Sequence, residues 1–230
     1  MSNPLFSFDR GLDARYVCGA DEAGCGCWAG PLVAAAVRFD YARLGADSDA
    51  VARLADLNDS KKLSPRRRAA LLPIVLDVAD VAVFVVIPAG QIDRDGLHVS
   101  NMRALGRALE AVAVAGSVNL VDWFELEGVG VSPRSVVRGD QRSAAIAAAS
   151  IVAKETRDWL MRGLDVEYPD YGFAVHKGYI TPAHVEAVVE LDLSPAHRHS
   201  VRCKAYAALR ASPRPPNQPA VVARPSRSVR

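Results

Sequence analysis

Long apolar runs, cysteine, internal repeats and a bulk charge of either sign are all scarce in this 230-residue chain. The longest apolar runs, such as the one over 78–88 with Asp80 inside it, fall short of the roughly 20 residues that span a bilayer. No membrane association is expected. The opening Met1-Ser2-Asn3-Pro4-Leu5-Phe6 has no basic stretch followed by an apolar one, so the reading is of a protein without a signal peptide. Four cysteines in a chain of this size do not make a disulfide framework, which points to the reducing cytoplasm. A net charge of +2 does not announce a nucleic-acid partner. The last nineteen residues, however, hold four arginines and no acid, leaving the body near −2. A polyanion site in that body has to be a local basic patch facing a local acidic cluster.

What is present reads as a globular chain: half the residues are hydrophobic and 23% are charged. Tyr16–Ala20 and Pro31–Phe39 read as buried strands on either side of a glycine-rich loop. Asp80–Ile87 is the clearest strand, and Ser117–Val121 and Arg134–Arg138 follow it. Ser64-Pro65 predicts a helix start, running to about residue 72, with Pro73 interrupting or kinking it. Leu97–Ala115 carries a 3.6-residue period, and Ser143–Leu164 reads as a long alanine-rich helix. Thr181-Pro182 caps a helix to about residue 191, and Lys204–Arg210 is a weaker helical candidate. Residues 40–57 show no clear period. Strands alternating with helices predict an α/β domain over 16–162. A lead-in over 1–15 precedes it, and a helical segment over 163–211 follows. The Pro/Arg-rich stretch 212–230 has the composition of a disordered tail.

The chemistry collects around Asp21-Glu22-Ala23-Gly24-Cys25-Gly26. A short apolar run ends in two carboxylates, and the glycines after them let backbone come close to a ligand. Taken alone, this stretch fits a charged strand end and an ordinary turn equally well. Two further strand candidates lead to Asp122 and Asp140, and ligands of open α/β sheets gather at the carboxyl ends of strands. Four hard oxygen donors brought together need cations, and suit Mg²⁺ or Mn²⁺ rather than zinc. Two such ions, roughly 3.5–4 Å apart, activate a water and stabilise a leaving phosphodiester oxygen. Neighbours on a strand point to opposite faces, so a bend is expected if Asp21 and Glu22 share one site.

Six segments resemble ribonuclease HII, and in that family's order. They are Asp21-Glu22-Ala23-Gly24 through Gly30-Pro31, Asp59-Ser60-Lys61-Lys62-Leu63, and Ala148-Ala149-Ser150-Ile151 through Arg157-Asp158. Tyr168-Pro169 through Phe173, His176-Lys177-Gly178-Tyr179 and His197-Arg198 complete the set, covering roughly residues 16–200. The resemblance implies a ribonuclease H-like fold, a mixed five-stranded sheet with helices on both faces and a helical C-terminal segment. It implies an endonuclease that cuts the RNA strand of RNA–DNA hybrids, and ribonucleotides embedded in duplex DNA, leaving 5′-phosphate and 3′-hydroxyl ends. The family's four metal-binding carboxylates match Asp21, Glu22, Asp122 and Asp140, serving two Mn²⁺ or Mg²⁺ ions. Gly24, Cys25 and Gly26 match the loop that approaches the 2′-hydroxyl and phosphate, the group that separates RNA from DNA. Tyr179 matches a tyrosine that packs on the sugar beside the ribonucleotide. Lys61 reads as a phosphate contact. Lys154 and Arg157 either join it, lie on a solvated face or partner a carboxylate, and Asp158 reads as structural, holding Arg157, over a metal role. A monomer is expected.

The chain departs from the family pattern twice. Cys25 stands where the family usually has arginine, and Trp123 where it usually has glycine after the third acid. Type III ribonucleases H tolerate other residues at the first position and do not favour single ribonucleotides, so weaker handling of a lone ribonucleotide is expected. For Trp123 the sequence leaves stacking on substrate, core packing and crowding of the metals all open. Two rival readings remain. One is a hybrid-binding protein with little or no cleavage; the other is a zinc or redox site built from Cys25-x-Cys27 and His197-x-His199-x-x-x-Cys203. His176 and His184 read as surface or packing residues.

Overall fold

The computed structural model describes residues 3–211; the tail over 212–230 lies outside them. Asn3 accepts a hydrogen bond from the Leu5 N–H and Pro4 presets the first turn, so helix α1 (Pro4–Arg10) forms where only a lead-in was expected. Strand β1 (Tyr16–Ala23) follows, then β2 (Leu32–Asp40), α2 (Tyr41–Ala46) and α3 (Ser48–Arg53). These two short helices lack periodicity and are set by their caps, since Asp40 and Asp47 each accept two N–H groups of the next turn. Helix α4 (Pro65–Val78) runs through Pro73. Leu71, Val75 and Val78 on one buried stripe hold it, while the ring of Pro73 and Ala69, whose carbonyl loses its helical partner, face water.

Then come β3 (Val81–Ile87), α5 (Ala89–Asp95), α6 (Leu97–Val112), β4 (Val118–Asp122) and β5 (Pro133–Val136). The long helix α7 (Ala144–Glu167) is followed by α8 (Phe173–His176), α9 (Pro182–Leu191) and α10 (Lys204–Ala211). The sheet order is β3-β2-β1-β4-β5. β1 pairs antiparallel with β2 and β2 with β3, while β1–β4 and β4–β5 are parallel. The sheet is mixed and five-stranded, with helices on both faces, as expected.

β1 and β2 are buried almost throughout because each side of the sheet is covered. Val17, Ala35 and Val37 pack on the alanines of α7, and Cys18, Ala20 and Ala36 pack on Ala104, Leu105 and Ala108 of α6. The α7 layer sits very close. A Cβ at Gly19 would lie 2.3 Å from the Ala145 carbonyl carbon and the Ile146 nitrogen. Ala144, Ala145, Ala147, Ala148 and Ala149 are all fully buried there, and larger side chains would push the helix away. Among the described residues, no helix is long and apolar enough to cross a membrane.

Candidate active site

Asp21 near the end of β1 and Asp122 at the end of β4 are in register, because Ala20 pairs with Val121 across parallel strands. Alternation puts both on the α7 side of the sheet, with Gly19 and Leu120 behind them. Asp140 arrives differently. β5 stops at Val136, and a short 3₁₀ turn over Gly139–Gln141 carries it to the start of α7. The Gly139 N–H donates to Asp122 Oδ1 at 2.6 Å, hooking that turn onto the third acid. A side chain at Gly139 would lie 2.4 Å from Ile146 Cδ1 and 3.3 Å from the Asp122 carboxylate. Asp21, Asp122 and Asp140 each place a carboxylate oxygen within 4.8 Å of the others.

Glu22 stands apart from that group. β1 stays paired with β2 through Ala23, so the expected bend is absent and Glu22 follows strand alternation to the α6 side. There Cys25 Sγ donates to Glu22 Oε1 at 3.5 Å, and Glu22 Oε2 is buried with no hydrogen-bond partner. Its charge still reaches the cluster, since Asp122 adds to the rise in its pKa that burial begins and the Cys25 thiol opposes.

Electrostatics mark the site. Burial, then Glu22 and Asp122, push the Asp21 carboxyl well above the usual range, against the Glu22 N–H and Lys61. Burial also raises Asp122, with the Gly139 N–H and Lys61 opposing. Asp140 is pushed up to about 6 by burial, Asp122 and Asp59. Lys61 is the compensating cation. Desolvation works to lower its pKa, but Asp21, Asp140, Asp59 and Asp122 outweigh that and raise it. Its loop is pinned to α7 through the Ser60 N–H to Ser150 Oγ, and through Arg68, which donates to the Ser60 and Leu63 carbonyls. Asp59 and Gln141, 3.4 Å apart beside Asp140, were not singled out from the sequence. Asp59 had a signal, since it opens the same motif as Lys61.

The glycine loop is held from within. Arg157 is fully buried and donates to the carbonyls of Pro31, Lys177 and Ala29 at 2.9, 2.9 and 3.0 Å. That overturns its reading as a phosphate contact or solvated residue. Asp158 is not its partner either; it pairs with Lys154 at 2.6 Å and Arg68 at 3.4 Å. Residues 157 and 158 project about 100° apart on the helix, so adjacency in sequence does not pair them. Arg198, also buried, donates to the Gly30 and Cys25 carbonyls. Gly24 has φ +104°, and a Cβ there would meet Arg157 Nε at 2.2 Å. Gly26 is different: a Cβ would meet nothing within 4 Å, so no packing demands glycine. The turn is closed by the Cys27 N–H to the Gly24 carbonyl, a bond that leaves the N–H groups of Cys25 and Gly26 unused.

Tyr179 is 44% exposed beside this loop, and Lys154 Nζ lies 5.9 Å from its ring centroid. The pair is a second group, distinct from the carboxylates. Burial and then Glu22 push the Cys25 thiol up, so it is a neutral donor. Trp123 is 60% exposed at φ +63°, which excludes core packing and explains why glycine suits this position. The cysteine and histidine spacings do not gather a ligand set. Among the described residues, the three aspartates are the group of three or more candidate ligands that converges. His184 and His197 are buried and bonded to each other.

The family model described as ribonuclease HII matches residues 18–205. A ribonuclease HII of Salinispora tropica is 44% identical over 85% of this chain and 71% of its own length. That of Salinispora arenicola is 42% identical over 95% and 80%. The chain belongs to the ribonuclease HII family. It is therefore an endonuclease, a hydrolase of the ribonuclease H class. Among solved structures, ribonuclease H2 of Pyrococcus horikoshii superposes with TM-score 0.70 at 24% identity, over 86% of this chain and 100% of that one. Bst-RNase HIII in complex with Mn²⁺ superposes with TM-score 0.61 at 20% identity, over 81% and 64%. Both share the fold expected from the sequence.

Proposed function

We propose that this ribonuclease HII family member cuts the RNA strand of RNA–DNA hybrids, and duplex DNA at embedded ribonucleotides, using two Mn²⁺ or Mg²⁺ ions. The products carry 5′-phosphate and 3′-hydroxyl ends, and the enzyme works as a cytoplasmic monomer. The observation that carries this is the convergence of three aspartate oxygens within 4.8 Å, with Glu22 on the other face of β1 near enough for Asp122 to raise its pKa and with one buried oxygen unpartnered. Hard anionic donors, raised pKa values and an orphaned carboxylate oxygen fit divalent cations held by Asp21, Asp122, Asp140 and Glu22. Bound there, the ions supply charge neutralisation, an activated water and stabilisation of the leaving oxygen.

The chain's own residues do the rest. Lys61 offsets the cluster and meets the substrate phosphate. The N–H groups of Cys25 and Gly26 approach the 2′-hydroxyl over a loop surface kept open by the missing side chain at Gly26, with Gly24 shaping the turn. Tyr179 presents its ring to the neighbouring sugar, Lys154 stands beside it, and the segment after α7 carries both the tyrosine and Arg198, which braces the loop together with Arg157 of α7. Cys25 in place of arginine removes a long cation from the loop, and we take weak action on a lone ribonucleotide to follow.

Three labelled duplexes test this: a full hybrid, a short RNA patch and a single embedded ribonucleotide, each titrated with Mg²⁺ and Mn²⁺. Wild type should cut the first two and the last slowly; Asp21→Asn should be inactive on all. Cys25→Arg should raise the single-ribonucleotide rate. No cleavage at any metal concentration would instead leave a hybrid-binding protein, and equal wild-type rates on the three would remove the role given to Cys25.

A further inference from the structure

Three histidines of the C-terminal segment, His176, His184 and His197, form a chain that the chemistry above leaves unused. The directions of its hydrogen bonds follow from groups that can only donate. The Ser194 N–H donates to His197 Nδ1 at 3.0 Å, so the proton of that ring sits on Nε2. His197 Nε2–H then donates to His184 Nε2 at 3.0 Å, which leaves His184 Nδ1–H to donate to the Tyr179 carbonyl at 2.9 Å. His176 closes the set. Its Nδ1 accepts from the Gly178 N–H at 3.1 Å, its Nε2–H donates to the Tyr171 carbonyl at 2.7 Å, and its ring stacks on His184 at 4.0 Å.

His184 is fully buried and His197 is 1% exposed, and burial holds each near a pKa of about 4, so both stay neutral near pH 7. The chain therefore has one polarity, from Ser194 to Tyr179. Its far end is tied to the glycine loop, because the Gly178 carbonyl accepts from the Trp28 and Ala29 N–H groups. The ring of Tyr179 is 44% exposed and meets the Cys27 thiol and, at 5.9 Å from its centroid, Lys154 Nζ; the backbone beneath it sets the point from which the ring projects.

We infer that His184, oriented by His197, is a positioning residue that sets the backbone of Tyr179 and through it the ring offered to the substrate sugar. This rests on the reading that Tyr179 touches substrate. The test is a double-mutant cycle on the hybrid, with kcat, KM and Tm measured for wild type, His184→Leu, His184→Asn, Tyr179→Ala and the double variants. His184→Leu should lower kcat/KM roughly three- to tenfold, the worth of one buried hydrogen bond. His184→Asn keeps a donor where Nδ1 stood and should recover most of that loss. In the Tyr179→Ala background, His184→Leu should cost nothing further in kcat/KM although it still lowers Tm. Should the leucine variant fail to fold, His184→Gln replaces it in the same cycle, since its amide reaches toward His197 and not the Tyr179 carbonyl. Equal losses in both backgrounds, or an asparagine variant as impaired as leucine, would overturn the inference alone. A silent Tyr179→Ala would take away the substrate role of Tyr179 as well.

Discussion

Gly24 and Gly26 lie two positions apart and are glycine for opposite reasons. At Gly24 the backbone is left-handed, and an added Cβ collides with Arg157 and the Pro31 carbonyl. Gly24→Ala should therefore cost about 2–4 kcal/mol, from strain plus displacement of a buried arginine, and should show as a large drop in Tm. At Gly26 the space is empty. Gly26→Ala should leave Tm within a degree or two of wild type yet raise KM for the hybrid, because under the proposed function the lost room is on the substrate side. Comparable Tm losses for the two would refute the distinction. Cys25, between them, is a neutral thiol facing Glu22 rather than a cation facing outward.

Among the elements, α4 breaks a local rule next to the site. Arg66 and Arg67 occupy its first turn, where positive charge opposes the helix dipole at about 0.3–1 kcal/mol each. Both are exposed, and only Leu63, Ser64 and Pro65 separate them from Lys61 and Lys62. A charge placed against its own helix is better suited to a partner, here the phosphates of a duplex. Replacing both with alanine should weaken hybrid binding and reduce the slope of log K against log salt by about 1–2, while leaving kcat and Tm unchanged or Tm slightly raised. An unchanged slope would return these arginines to a solvated face.

For the molecule as a whole, acid acts in two directions at once. His184 and His197 are held near 4, so their contribution is full above about 6.5 and is lost as pH falls toward 4. Asp9, which joins Tyr41 and the start of α7, is pushed up to about 6 by burial. A raised carboxyl works the opposite way, adding stability as pH falls from about 6 to below 4. The two partly cancel and flatten the acid side of the wild-type profile. Asp9→Asn removes the opposing part, so between pH 7 and 4 it should lose up to about 3 kcal/mol more than wild type in urea unfolding. Parallel profiles would show that Asp9 is not protonated in the fold.

Strands, helix caps and the order of the short motifs were legible in the sequence because each depends on residues close together: an apolar run, Ser64 before Pro65, three acids ahead of turns. The fold and the family follow from those. α1, α2, α3 and α5 escaped notice because single caps and tertiary packing, not periodicity, define them. The division of labour within the site was also out of reach. Whether a charge is buried, paired or free is settled by which faces meet: Arg157 turns inward to three carbonyls, Asp158 turns to Arg68, and Glu22 falls across the sheet from Asp21. Strand alternation and the close approach of α7 decided those partners, and neither is visible until the sheet is assembled.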